Sequence, residues 1–162
     1  MEDLPPVTLR LMRPADAEAV ARMVRRAWAG RVAPDSSGHL ETAEKVLADL
    51  ERGRGFVAEA GGEVVASVRW VPHPGEEGVC EVHKLGVLPG YRKLGLGPKL
   101  LGLLEEDAAR HGVREVRLAV RHDQYRLVEW YSAQGYVLDA SLVYSSANPR
   151  TPPPFVLRKR LA

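Results

Sequence analysis

Two residues on one alternating stretch, and a glycine-spaced turn just after it, carry the chemistry that this sequence offers. Glu81 and His83 stand two apart within Val79–Leu88. An extended chain puts both on one face, where either can take a proton directly or through a water. The stretch runs into Val87-Leu88-Pro89-Gly90-Tyr91-Arg92-Lys93-Leu94-Gly95-Leu96-Gly97. Gly95 and Gly97 have no side chain, so a bulky anion can approach the main chain. Successive N–H groups in such a turn point to a common centre. A helix predicted from Pro98 adds unpaired N–H groups and the positive end of its dipole. Proline suits the first helical position, and it cannot donate to a ligand. Arg92, Lys93 and Lys99 bring positive charge. The ligand implied is a phosphate or a pyrophosphate. A nucleoside-triphosphate loop would need Gly-Lys followed by Ser or Thr, and none follows here. The dinucleotide fingerprint fails too, because position 100 is leucine.

The elements that must position these residues read as follows. Val7–Met12 alternates like a strand, and Ala15–Ala29 has apolar residues at helical spacing. Residues 30–38 form a loop rich in turn residues, and His39–Leu50 is a second short helix. Phe56–Ala60 and Val64–Val71 form a hairpin about Gly61-Gly62. Val79–Leu88 is the fourth strand and Pro98–His111 an amphipathic helix. Val116–Val120 reads as a buried strand, Tyr125–Ala133 as a helix, and Tyr136–Tyr144 and Phe155–Leu161 as the last strands. This order predicts an α/β protein with a mixed sheet, about seven strands and four helices. Residues 7–162 are expected to form one domain behind a short extension, 1–6.

Leu85 to Gly97, followed by Leu100-Leu101, resembles the acetyl-CoA signature of the GNAT superfamily of N-acetyltransferases. That signature is Arg/Gln-x-x-Gly-x-Gly/Ala after a Leu-x-Val strand end and a proline. The element order is similar as well, and the likeness covers residues 7–161. It implies a fold splayed between the fourth and fifth strands. It also implies direct acetyl transfer, in a ternary complex, from acetyl-CoA to a primary amine on a small molecule, peptide or protein, with no metal. By the same resemblance, the backbone of Arg92, Lys93, Leu94, Gly95, Leu96, Gly97 and Pro98 would hold the pyrophosphate. Leu85, Gly86 and Val87 would bind the pantetheine arm like an added strand. Glu81 and His83 match positions where the family often carries its general base.

Tyr131, in Glu129-Trp130-Tyr131-Ser132-Ala133-Gln134-Gly135-Tyr136, is similar to the family tyrosine that protonates the leaving thiolate. Gln124 stands where the family often has asparagine, one methylene shorter. The acceptor would meet residues 28–39 and 144–154, with Trp28 and Tyr144 as contacts and Arg31 and Asp35 as polar partners. Each residue has a plainer role open to it. Glu81 can be a salt-bridged strand residue, His83 a satisfied buried histidine, and Tyr131 and Trp28 core packing. A non-catalytic acyl-CoA sensor on the same fold is the alternative, disfavoured by Glu81, His83 and Tyr131 occurring together.

Composition narrows the field. The chain has 162 residues, 45% hydrophobic and 27% charged, with a net charge of +2. That is ordinary globular composition, without the dense basic patch of a nucleic-acid binder. The single cysteine, Cys80, cannot form an internal disulfide, so a reducing, cytoplasmic setting is expected. Cys80 should face away from Glu81 and act as a small apolar residue. Met1–Pro6 lacks the basic start and apolar run of a secretory leader. No apolar stretch is long enough to cross a bilayer. Homodimer formation is left open.

Overall fold

The structure is a computed structural model that describes residues 4–29, 37–145, 149 and 151–162. It contains β1 (Val7–Leu11), α1 (Ala17–Trp28), α2 (Ala43–Arg52), β2 (Arg54–Ala60), β3 (Glu63–Pro72) and β4 (Val79–Val87). These are followed by α3 (Leu96–Arg110), β5 (Glu115–Val120), α4 (Tyr125–Ala133), β6 (Val137–Leu138) and β7 (Phe155–Arg160). The strands form one sheet in the order β1-β2-β3-β4-β5-β7-β6. The pairing of β4 with β5 is parallel, as expected of a mixed sheet. Chain contacts gather into two units, Met1–Val71 with His83–Leu104, and Pro72–Val82 with Glu105–Ala162.

In the first unit, β1 pairs antiparallel with β2 and β2 with β3. Gly61 and Gly62 turn the β2–β3 hairpin with φ of 57° and 80°, a conformation that glycine adopts without a side-chain clash. From Val65 to Val71, β3 is buried at every residue. Strands covered on both faces lose the apolar–polar alternation. The inner stripe of α1 is Val20, Ala21, Met23, Val24 and Ala27. Thr42 caps α2 by accepting from the Lys45 N–H at 3.2 Å. On α3, Leu96, Leu100, Leu101 and Leu104 are buried.

A charged group sits inside this apolar strand. Arg69 and Glu41 are each 2% exposed. The Arg69 Nη2 donates to Glu41 Oε2 at 2.7 Å and its Nε to Asp49 Oδ2 at 2.9 Å. Asp49 Oδ2 also meets His83 Nδ1 at 2.9 Å. A buried guanidinium is tolerable only when its charge is matched in this way.

In the second unit, β5 lies between β4 and β7. The β4–β5 ladder covers three pairs, from Val79–Glu115 to Glu81–Arg117. A ladder that short is what a splay between the fourth and fifth strands requires. Six pairs join β5 to β7, but only two join β6 to β7. The strand expected over Tyr136–Tyr144 therefore ends at Leu138. Asp139 still donates its N–H to the Val156 carbonyl of β7 at 2.9 Å, and the chain then turns away, with Asp139 Oδ1 accepting from the Ser141 N–H at 2.9 Å. A side chain that bonds nearby backbone draws it out of the ladder. Among the described residues, no helix is long and apolar enough to cross a membrane.

Burial pushes the Asp49 carboxyl up, but the His83 hydrogen bond and the charges of His83 and Arg69 outweigh it and hold it below the usual range. Because its folded value is depressed, its contribution to stability is complete above about pH 4 and is lost as pH falls through that folded value. Arg69→Met leaves Glu41 and Asp49 without the guanidinium. It should cost about 3–5 kcal/mol, read as a lower denaturant midpoint at pH 7. An unchanged midpoint would contradict the role given to the ion pair.

Candidate active site

After β4 the chain makes a 3-10 turn over Pro89–Leu94 and reaches Gly95 in the left-handed region, at φ 71°. The helix then begins at Leu96. Pro98 is thus the third helical residue, two places later than the sequence suggests. The first described helical bond runs from the Lys99 N–H to the Gly95 carbonyl at 3.4 Å. Leu96 and Gly97 precede it, so their N–H groups have no carbonyl to reach within the helix. Pro98 has none to offer. A Cβ on Gly95 would meet nothing within 4 Å, so its approach is open and its glycine is needed for the backbone angle. The turn therefore presents amides and a helix dipole to an anion.

Arg92 also ties the local backbone together. Its Nε donates to the Val87 carbonyl at 2.9 Å and its Nη2 to the Ala27 carbonyl at 2.8 Å. Ala27 lies in the last turn of α1, where carbonyls lack helical partners. Arg92 thus ties the end of β4 to the end of α1, and Lys93 and Lys99 remain exposed.

Glu81 and His83 have separate partners. Glu81 is 1% exposed. Its Oε2 accepts from the Ser145 N–H at 3.2 Å, and its Oε1 accepts a short bond from Ser145 Oγ. His83 turns its Nδ1 to Asp49. That contact fixes the orientation of the imidazole ring. Between His83 and Leu85, Lys84 adopts a left-handed φ of 55°. This redirects the backbone ahead of the Leu85–Val87 strand end. Burial pulls the Lys84 ammonium down; Arg69 and Lys45 act the same way, against Glu41 and Asp49. Burial and the neighbouring Glu81 and Glu105 push the Cys80 thiol up to about 12, so it stays a thiol and fills space.

Tyr131 is buried on α4 between Trp130, edge-on at 4.9 Å, and Tyr136, at 5.9 Å. Burial pushes its phenol above its ordinary range, so it remains a proton donor at neutral pH. Tyr136 is anchored in turn by a 2.9 Å bond to Glu105. Gln124 is the N-cap of α4, but its side chain makes no capping bond, as its length disfavours.

Of the residues expected to meet the acceptor, Trp28 packs against glycines. A Cβ on Gly86 would lie 2.7 Å from Trp28 Cζ3, and one on Gly38 would overlap the indole. Gly86 thus makes room for the ring. The Tyr144 hydroxyl donates to the Val82 carbonyl at 2.8 Å. Arg31 and Asp35 lie outside the described residues. Among the described residues, no cluster of His, Cys, Asp and Glu could hold a metal ion.

The model of the Acetyltransferase (GNAT) family matches residues 18–136. The chain belongs to the GNAT family of acetyltransferases. A mycothiol acetyltransferase of Streptomyces bingchenggensis is 31% identical over 148 residues, covering 85% of this chain and 46% of that protein. An S-(2-succino)cysteine N-acetyltransferase of Bacillus subtilis is 32% identical over 98 residues, covering 57% of this chain and 59% of that protein. The chain thus spans about half the length of these relatives. Among solved structures, a PaiA N-acetyltransferase from Thermoplasma acidophilum in complex with coenzyme A has a TM-score of 0.75. It is 18% identical, and the match covers 96% of this chain and 99% of that one. At that identity the likeness shows the GNAT fold.

Sequence reasoning missed three participants in this GNAT chain: Asp49, Arg69 and Ser145. Arg69 left a signal, a charge between Val68 and Trp70 in an apolar strand. Asp49 and Ser145 left none, because their partners are 34 and 64 residues away.

Gly86→Ala should overlap the Trp28 ring and cost about 1–3 kcal/mol, read by denaturant unfolding. Trp28→Leu in the same chain should recover most of that loss. If the alanine variant is as stable as the unaltered protein, the packing account of Gly86 is wrong.

Proposed function

We propose that this protein is an N-acetyltransferase that moves the acetyl group of acetyl-CoA directly to a primary amine bound beside it. The observation that carries this reading is the turn at Gly95. Its left-handed glycine opens the backbone, and the Leu96 and Gly97 amides head α3 without helical partners. A pyrophosphate suits that cradle. The solved PaiA relative in complex with coenzyme A supports the same choice of ligand.

The thioester supplies an activated acetyl group and a sulfur leaving group. The chain's own residues then have three tasks. The Arg92-to-Gly97 turn binds the diphosphate, and Leu85–Val87 aligns the amide-rich arm through main-chain bonds. Glu81 or His83 receives the proton that the amine must lose. Tyr131 gives its phenolic proton to the departing sulfur, a task that suits a buried hydroxyl kept neutral. The relative named as an S-(2-succino)cysteine N-acetyltransferase lends weight to an amine acceptor. One observation favours the alternative of a non-catalytic acyl-CoA module: the Glu81 carboxylate is buried under Ser145.

Turnover decides between them. Purified protein given acetyl-CoA and a panel of amines, aminoglycosides, polyamines and peptide N-termini should release free thiol in an amine-dependent way. Tyr131→Phe should lower kcat about 100-fold while leaving KM for acetyl-CoA nearly unchanged. Tyr131 stays protonated above its ordinary value of about 10, so it should add no alkaline loss of activity below that pH. Full turnover by the phenylalanine variant would remove Tyr131 as the acid.

A further inference from the structure

We propose that Ser145 relays the acceptor's proton to Glu81; this rests on the transfer reading above. Glu81 is the most buried carboxylate of the second unit, at 1% exposure. Among the described residues its hydrogen bonds come from one residue, Ser145, through both the N–H and the hydroxyl. Ser145 itself is exposed. The carboxylate is thus covered by a group that solvent can reach, and a direct approach of an amine to Oε1 meets that hydroxyl.

The segment that delivers Ser145 is held at two further points. The Tyr144 hydroxyl donates to the Val82 carbonyl at 2.8 Å. Upstream, Asp139 accepts from Ser141 and pairs with Arg158 Nε at 3.2 Å, while the Asp139 N–H donates to the Val156 carbonyl at 2.9 Å. Two anchors in the chain just before an exposed serine suit a group whose position matters.

A hydroxyl can donate one hydrogen bond while accepting another. Ser145 Oγ, donating to Glu81 Oε1, keeps a lone pair for an amine N–H. As the nitrogen forms its new bond to the acetyl carbon, its N–H bond breaks and the proton joins Ser145 Oγ. The original hydroxyl proton passes to Glu81 Oε1. Ser145 ends as a neutral hydroxyl and Glu81 as a carboxylic acid, which returns its proton to water by the reverse path after product leaves. No oxidant or further reactant is needed.

The test is a double-mutant cycle on amine-dependent thiol release. Glu81→Gln should lower kcat about 100-fold and Ser145→Ala at least about 10-fold, with KM for acetyl-CoA within about twofold. Ser145→Thr should retain most of the activity, and the double variant should be no slower than Glu81→Gln. A second measurement needs no substitution: single-turnover rates of the unaltered protein in mixed light and heavy water should fall on a bowed curve, as two protons move together. Full kcat in Ser145→Ala, multiplicative losses in the double variant, or a straight-line isotope response would each overturn the relay and leave acetyl transfer standing. Full activity in Glu81→Gln would overturn both the base and the relay. No amine-dependent thiol release by the unaltered protein would remove the transfer reading and the relay with it.

Discussion

A guanidinium inside a sheet has to be neutralised where it lies, and Arg69 organises the first unit around that requirement. It draws Glu41 and Asp49 into the interior at 2.7 and 2.9 Å. Asp49 in turn takes His83, the second base candidate, by its Nδ1. Orientation of that histidine is therefore a by-product of charge matching. Removing one partner from such a set leaves an uncompensated charge, which costs more than the set contributes when intact.

The other candidates for acid and base are positioned by different means. Glu81 is set by its place on β4 and capped by an exposed serine. Tyr131 is held by ring contacts with Trp130 and Tyr136, and burial keeps its phenol protonated. The turn before α3 depends on a glycine backbone angle and on Arg92, which donates to carbonyl groups. Backbone geometry leaves the amides at the start of α3 without helical partners, and the Arg92 guanidinium ties β4 to α1.

Features governed by local chemistry were legible in the sequence. Gly61-Gly62 demanded a tight turn because few other residues accept two successive positive φ angles. The helix over Tyr125–Ala133 was bounded by its own apolar spacing. The signature turn was readable because its glycines, proline and strand end are contiguous. Features set by competition or distance were not. Helix α3 starts at Leu96 because a 3-10 turn and a left-handed Gly95 launch it early, which a Gly-Leu-Gly run does not announce. Strand β6 stops just before the Asp139 side chain turns the chain by accepting from the Ser141 N–H. Arg69 with Asp49, and Glu81 with Ser145, are pairings that only the folded chain creates. The match of the Trp28 ring to Gly86 and Gly38 is likewise created only by the fold.

The central claim is that the turn at Gly95 is built for the diphosphate of an acyl-CoA. Calorimetric titration of the protein with acetyl-CoA, set beside ATP, tests it most directly. The account predicts saturable one-to-one binding of acetyl-CoA, competition by free CoA, and no comparable heat with ATP. No binding of acetyl-CoA at about 1 mM, equivalent to roughly 4 kcal/mol, or equal binding of ATP would contradict it.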